Sequence, residues 1–338
     1  MTDATARDRP DRPNPQGDRL PAHEPEGNPV TSTDPASAER RRAAAVANRG
    51  RNVEVDGQQF TVHSMASASR APESEHESEA EPEPPTYLLV HGIGASHRYY
   101  RRIQQRLALT GHTHSLDLPG FGGTRKPGRP LGIEEYGALL GRLMDQLEVP
   151  RAVVVGHSMG AQFATELARQ RPDAVPRLVL IGAVTDPRRA TAVQQAMGLT
   201  RDVVKEPPSG NLIVFRDYLE CGPRWFSTEL VPMLDYRTDL ALGDVRSPTL
   251  VIRGANDPVS GSAWCAALAA AAPDGHFREI AGHRHLVHHS AAAQTAAIIV
   301  EHAQRHPSVT GPAPHTAQST HTQQAPRTQQ SPGTRPAP

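Results

Sequence analysis

Apolar residues along this chain follow two different periods. Residues 53–62, Val53-Glu-Val-Asp-Gly-Gln-Gln-Phe-Thr-Val62, alternate apolar with polar around Asp56-Gly57. Period-two alternation about an Asp-Gly pair predicts a β-hairpin, because that pair tolerates the positive φ of a tight turn. Short strand-like runs then recur at 87–90, near 115–118, at 152–155, 178–181, 249–252 and 277–280. Between them lie segments of helical spacing. Residues 97–109 are one, a segment from 161 through Arg169 is another, and 133–147 is the clearest, with Ile133, Tyr136, Leu139, Leu140, Leu143, Met144 and Leu147 on one face. Buried-type strands alternating with amphipathic helices predict an α/β fold, a parallel sheet covered on both faces.

The rhythm fails between Asp186 and Arg246. That interval holds Pro207-Pro208, Trp225-Phe226 and helix-like pieces such as 212–219, but no strand. An excursion of this length at a sheet edge is expected to build a lid or cap, here assigned to 187–246.

Composition explains where the chain is not core. Only 37% of the 338 residues are hydrophobic, below the roughly 45% of ordinary globular chains. The deficit sits in three places. Residues 1–50 and 306–338 are Pro-rich and poor in large apolar side chains, and both are expected to be disordered tails. Residues 66–85 carry Glu at every second position from Glu73 to Glu83, and this segment is expected to be a solvated acidic loop. Removing these leaves one domain over 51–305.

Charge and cysteine usage narrow the function. Lys+Arg and Asp+Glu both number 36, so no electrostatic argument favours nucleic acid. Cys221 and Cys265 are too few for a disulfide framework and lack paired zinc spacing. No apolar run is long enough to span a bilayer, and no apolar stretch follows the N-terminus. The expectation is a cytoplasmic enzyme acting on a small molecule, with no cofactor and no metal. Its oligomeric state is left open.

The chemistry-bearing motif is Gly156-His157-Ser158-Met159-Gly160, a G-x-S-x-G between a strand and a helix. A sharp turn there lifts the Ser158 hydroxyl above the sheet. Side chains at the flanking positions would strike the neighbouring strand and helix, which requires glycine at both. The helix N-terminus behind the serine supplies free amides and partial positive charge near a developing oxyanion.

Other stretches agree in order and placement. His91-Gly92-Ile93-Gly94 follows the first long strand, Asp117-Leu-Pro-Gly-Phe-Gly122 follows the next, Gly254-Ala-Asn-Asp257-Pro-Val259 follows a later one, and Ala281-Gly-His283-Arg-His285 follows the last. Over about 86–305 the chain resembles the α/β-hydrolase superfamily. The resemblance implies a mostly parallel eight-stranded sheet with helices on both faces and a helical cap insertion. It implies Ser158 as nucleophile, His285 as base, Asp257 as the acid that orients it, and backbone amides of Ile93 and Met159 as the oxyanion hole. The order Ser, Asp, His fits the fold, and the separations of 99 and 28 residues leave room for the intervening elements.

Two assignments have rivals. His283 is the alternative base, since His283, His285, His288 and His289 crowd one segment. Those histidines could also suggest a metal, but no nearby Cys or carboxylate completes a ligand set. Asp186 is the alternative acid, although its Thr-Asp-Pro context reads more simply as a turn. Asp117 is expected to brace its own turn through local amides, and His91 and His157 to orient loops. Trp225, Phe226, Met233 and Tyr236 suit either a substrate pocket or the core of the cap.

Serine at 158 separates the chain from superfamily members that use aspartate there to open epoxides or displace halide. The expected reaction is hydrolysis of a small or medium apolar ester, thioester or lactone through an acyl-serine. Carbon–carbon bond hydrolysis or perhydrolysis by the same triad is the alternative within enzymes. A non-catalytic binding protein on the same fold is the alternative outside them.

Overall fold

The computed structural model describes residues 50–68, 83–187 and 208–305. The expected tails, most of the acidic segment and the first part of the 187–246 insertion lie outside the described residues.

The hairpin forms where the alternation places it. Strands β1 (Arg51–Val55) and β2 (Gln58–Met65) pair antiparallel with Val55 opposite Gln58. Asp56 and Gly57 both have positive φ, 50° and 75°, the requirement of the tight turn type that matches strand twist. Strand β2 then runs antiparallel to β4 (His112–Asp117). From there the sheet is parallel through β3 (Thr86–Val90), β5 (Val153–His157), β6 (Arg177–Ile181), β7 (Thr249–Gly254) and β8 (Gly275–Ile280). The eight strands lie in the order β1-β2-β4-β3-β5-β6-β7-β8.

The central strands are buried on both faces, so their side chains divide between two cores. Leu88, Val90 and Val154 point to one side, where α2 (Ile133–Gln146), α3 (Gly160–Gln170) and α7 (Ser262–Ala271) supply Leu140, Phe163 and Leu268. Tyr87, Leu89, Val153 and Val155 point to the other. There α1 (Arg101–Leu107), α8 (Val287–Ser290) and α9 (Ala292–Gln304) supply Ile103, Val287 and Ile299. Both faces are thereby dry, which is why these strands read as continuous apolar runs.

Three α-helices lie between β6 and β7 among the described residues, α4 (Pro208–Cys221), α5 (Pro223–Asp235) and α6 (Thr238–Ala241), followed by a 3₁₀ turn at Leu242–Asp244. Helix α4 is clasped to the segment after residue 94. The Ser96 hydroxyl donates to Asp217 at 2.6 Å, and Arg98 pairs with Asp217 at 2.6 Å and Glu220 at 2.8 Å. Trp225, Met233 and Tyr236 are buried and Phe226 packs against the same cluster. Tyr236 donates to Glu166 at 2.7 Å and the Met233 carbonyl accepts from Gln162 at 2.9 Å. Burial in this cluster fits the packing-core reading for Trp225, Met233 and Tyr236, whereas Phe226 is half-buried and lies close to Gly94.

Candidate active site

The site gathers at the C-terminal ends of the parallel strands, where open α/β sheets bind ligands. Strand β5 ends at His157 and α3 begins at Gly160, so Ser158 occupies the bend. Its φ is +57°, a left-handed conformation that costs a non-glycine residue on the order of 1–3 kcal/mol. The surrounding bonds hold it there: the Ser158 amide donates to the Ile181 carbonyl at 2.9 Å, and its own carbonyl accepts from Ala161 at 3.1 Å. Both flanking glycines are explained by close approach. A Cβ on Gly156 would sit 2.3 Å from the Gly160 carbonyl oxygen, and one on Gly160 would sit 2.2 Å from the Val90 carbonyl oxygen.

The loop after β3 lies against the serine. A Cβ on Gly92 would fall 2.8 Å from Ser158 Cβ and 3.3 Å from its Oγ. Ile93 follows directly, and Met159 is the residue after Ser158 at the head of α3. His91 pins this loop to the next strand. Its Nδ1 donates to the Gly92 carbonyl at 2.8 Å, and its Nε2 accepts from the Leu118 amide at 3.1 Å. Burial pushes the His91 imidazole down to about 4, so it stays neutral.

Asp257 lies in the loop after β7. Its Oδ1 accepts from the amides of Val259 at 2.8 Å and Ser260 at 3.0 Å, and its Oδ2 lies 2.9 Å from His285 Nδ1. Burial alone would raise this carboxyl. The imidazole beside it and the two amides overcome burial and hold it below the usual carboxylate value. An ionised acceptor at Nδ1 places that proton on Nδ1 and turns the other nitrogen, Nε2, into the basic one. The loops carrying the pair are laced together, with Asn256 donating to the His283 carbonyl at 2.9 Å. His285 in turn touches the residue preceding the serine: its carbonyl accepts from His157 Nε2 at 3.1 Å, and the two rings lie 4.7 Å apart.

The rivals are placed differently. His283 Nδ1 hydrogen-bonds the Ser290 hydroxyl at 2.9 Å. Asp186 is buried in the loop after β6. Of the remaining clustered histidines, His289 Nε2 lies 3.2 Å from Ser209 Oγ, and His288 packs among the rings of Tyr99, Tyr100 and His157.

Some contributors carry no motif. Arg253, a charged residue inside an apolar strand, donates to the carbonyls of Ser260 at 2.7 Å and Asp257 at 3.0 Å, and pairs with Glu279. It shapes the Asp257 loop, and its charge at the end of an apolar strand is the signal by which the sequence could have marked it. Asp117 corrects an expectation. Its carboxylate binds no amide of its own turn among the bonds seen. It accepts from His63 Nε2 at 3.0 Å, His97 Nδ1 at 2.8 Å and the His97 amide at 2.8 Å. The Thr124 hydroxyl braces the turn instead, donating to the Leu118 carbonyl at 2.6 Å. Burial would raise Asp117, and the two imidazoles hold it well below the carboxylate range. His63, His97 and Asp117 carry metal-ligand atom types within 4.8 Å of one another. The two imidazole rings stack with centroids 3.4 Å apart, and His63 Nε2 and His97 Nδ1 both face the Asp117 carboxylate. The arrangement is a hydrogen-bonded clasp joining β2 and β4 to the turn after residue 96.

A sequence profile described as the alpha/beta hydrolase family matches residues 87–298. The chain belongs to the α/β-hydrolase family. Over 255 residues this α/β-hydrolase is 28% identical to a pimeloyl-[acyl-carrier protein] methyl ester esterase of Aromatoleum aromaticum, covering 64% of this chain and 97% of the esterase. Over 99 residues it is 33% identical to a protein of Mycobacterium tuberculosis, and there it spans 29% of each chain. Among solved structures, the enol-lactonase of Burkholderia xenovorans LB400 superposes with a TM-score of 0.61 at 19% identity, covering 75% of this chain and all of that one. That likeness establishes the shared fold. No helix of the described residues is long and apolar enough to cross a membrane.

Proposed function

We propose that this α/β-hydrolase is a serine hydrolase that cleaves a small or medium apolar carboxylic ester, thioester or lactone. Ser158 Oγ attacks the acyl carbonyl while His285 Nε2 takes its proton. The amides of Ile93 and Met159 receive the oxyanion, each donor lowering the barrier by on the order of 3 kcal/mol. Collapse expels the alcohol or thiol, which regains the proton from His285. Water then attacks the acyl-serine with the same base, releasing the carboxylic acid and free Ser158. Asp257 keeps the imidazole in the required tautomer and balances its transient charge. Helices α4–α6 act as the cap over this centre.

The observation that carries the reading is the buried 2.9 Å Asp257–His285 pair, joined through the His285 carbonyl to the residue before a serine of positive φ. The esterase relative, similar over 97% of its own length, supports an ester substrate within this class. A fluorophosphonate probe tests it. The wild-type protein should label stoichiometrically and hydrolyse p-nitrophenyl butyrate, and Ser158→Ala should do neither. A folded wild-type protein that does not label removes the proposal.

A further inference from the structure

Behind the candidate triad runs a hydrogen-bond chain with one allowed direction. The Gly92 amide donates to Tyr99 Oη at 2.8 Å. Tyr99 Oη lies 3.1 Å from His157 Nδ1. His157 Nε2 lies 3.1 Å from the His285 carbonyl oxygen. All four residues are buried.

The two ends determine the protons between them. A carbonyl oxygen only accepts, so His157 carries its proton on Nε2. Burial, followed by the neighbouring His285, drives the His157 imidazole well below its ordinary value, so the ring is neutral and Nδ1 is an acceptor. A backbone amide only donates, so Tyr99 Oη accepts from Gly92 and turns its own hydrogen to Nδ1. The polarity is N–H of 92, then O–H of 99, then N–H of 157, then C=O of 285. No link can reverse without leaving a buried donor facing a donor.

The surroundings wall the chain off from solvent. The His288 ring sits 4.3 Å from that of His157 and 4.5 Å, edge-on, from that of Tyr99. Neither His288 nitrogen has a hydrogen-bond partner among the described residues, so this ring walls the chain rather than extending it. Tyr100 donates to the Val90 carbonyl at 2.9 Å, fixing the strand end from which Gly92 departs.

We propose that Tyr99 and His157 are positioning residues: their chain ties the loop that presents the Ile93 amide to the backbone of His285. This rests on the serine-hydrolase reading above. The oxyanion donor and the base ride on loops from opposite parts of the sequence, after β3 and after β8. The chain passes through the residue preceding Ser158, so it sets all three reacting groups in one frame. A misplacement of about 1 Å in such a frame costs on the order of 100-fold in rate.

The test uses the full-length chain with Tyr99→Phe, His157→Gln, His157→Leu and the Tyr99→Phe/His157→Leu double variant. Fluorophosphonate labelling rates, kcat and KM for p-nitrophenyl butyrate and melting temperatures are measured for each. Tyr99→Phe should lower kcat and the labelling rate roughly 10- to 100-fold with KM little changed. His157→Gln keeps an N–H where Nε2 stands and should outpace His157→Leu. The double variant should be no slower than the slower single one, since both interrupt one chain. Folded Tyr99→Phe and His157→Leu proteins with kcat within about threefold of wild type would overturn the proposal, as would additive losses. Failure of wild type to label removes the underlying reading instead. A readout independent of activity remains: ¹⁵N-resolved imidazole spectra of the wild-type protein should show His157 as the neutral Nε2–H tautomer across neutral pH. An Nδ1–H tautomer there overturns the chain even if every variant fails to fold.

Discussion

Replacing Asp257 by Asn tests the candidate triad more sharply than deleting any member. The side chain keeps its size, and two neighbours dictate how it settles. The amides of Val259 and Ser260 stand 2.8 and 3.0 Å from Oδ1 and require an acceptor there. The Asn carbonyl oxygen must take that place, which turns its NH₂ toward His285 Nδ1, 2.9 Å away in the wild-type protein. The histidine can meet that donor only as an acceptor, so its proton moves to Nε2. An imidazole protonated on Nε2 cannot remove the Ser158 proton. Loss of the correct tautomer in a serine triad is worth about 10⁴ in kcat, or about 5 kcal/mol of barrier. The fold should survive, because both amide bonds persist. Asp257 is held below its ordinary value in the folded state. The wild-type chain therefore gains stability from it above the unfolded carboxyl value and loses that gain as pH falls through the lower folded one. The variant should lack that part of the acid dependence. The assay is kcat for p-nitrophenyl butyrate at neutral pH, beside melting curves and a parallel Asp186→Asn protein. A folded Asp257→Asn enzyme within tenfold of wild type, with Asp186→Asn crippled, would refute the reasoning and move the acid to the loop after β6.

Other consequences are separable. His283→Ala should keep most of the esterase rate, because His283 engages Ser290; a loss like that of His285→Ala in the same kinetic assay would contradict this. Glu229 is buried in α5, and burial outweighs the lowering influence of the nearby Tyr136 hydroxyl and Leu131 backbone, pushing its carboxyl up to about 7. The unfolded chain then loses this proton first, so stability should fall as pH rises from about 4.5 to about 7. Glu229→Gln should be more stable than wild type at pH 8, by on the order of 2 kcal/mol, with little difference at pH 4; denaturant melts at both values measure it. Burial pushes the thiols of Cys221 and Cys265 up to about 11 and about 12. Iodoacetamide at pH 8 should therefore leave both unmodified in the native protein and hydrolysis unchanged, read by mass spectrometry and rate.

What was legible in the sequence is what local rules control. The Asp56-Gly57 turn demands positive φ and announces it by residue type. The bend at Ser158 is written in two glycines whose Cβ atoms would meet backbone. Strands β5 and β6 stand out because a strand buried on both faces must be apolar at every position. Strand β8 is weaker in pattern because, at the sheet edge, much of it is half-buried or exposed. Contacts made across the sheet left no local trace. His63 and Asp117 are 54 residues apart and look like an ordinary strand residue and a turn residue until β2 and β4 pair. Tyr99 reads as one apolar position of a helix, although its hydroxyl has a polar role that only the position of β5 reveals. The clustered histidines were ambiguous for the same reason. Spacing cannot say which ring of His283 and His285 meets a carboxylate 28 or fewer residues away, whereas the loop geometry puts Asp257 against His285.

The clasp between α4 and the segment after Gly94 has a consequence for traffic. A covering helix that merely rests on its base can swing out and leave the machinery beneath ready. Here Asp217 holds Ser96 and Arg98, two and four residues beyond Gly94. Pulling α4 outward would tug on the strip of backbone after Gly94, next to the Ile93 amide proposed as an oxyanion donor. If α4 must swing out to admit substrate, admission and competence would be alternatives, because the same movement would slacken the proposed reaction template and only relatching would restore it.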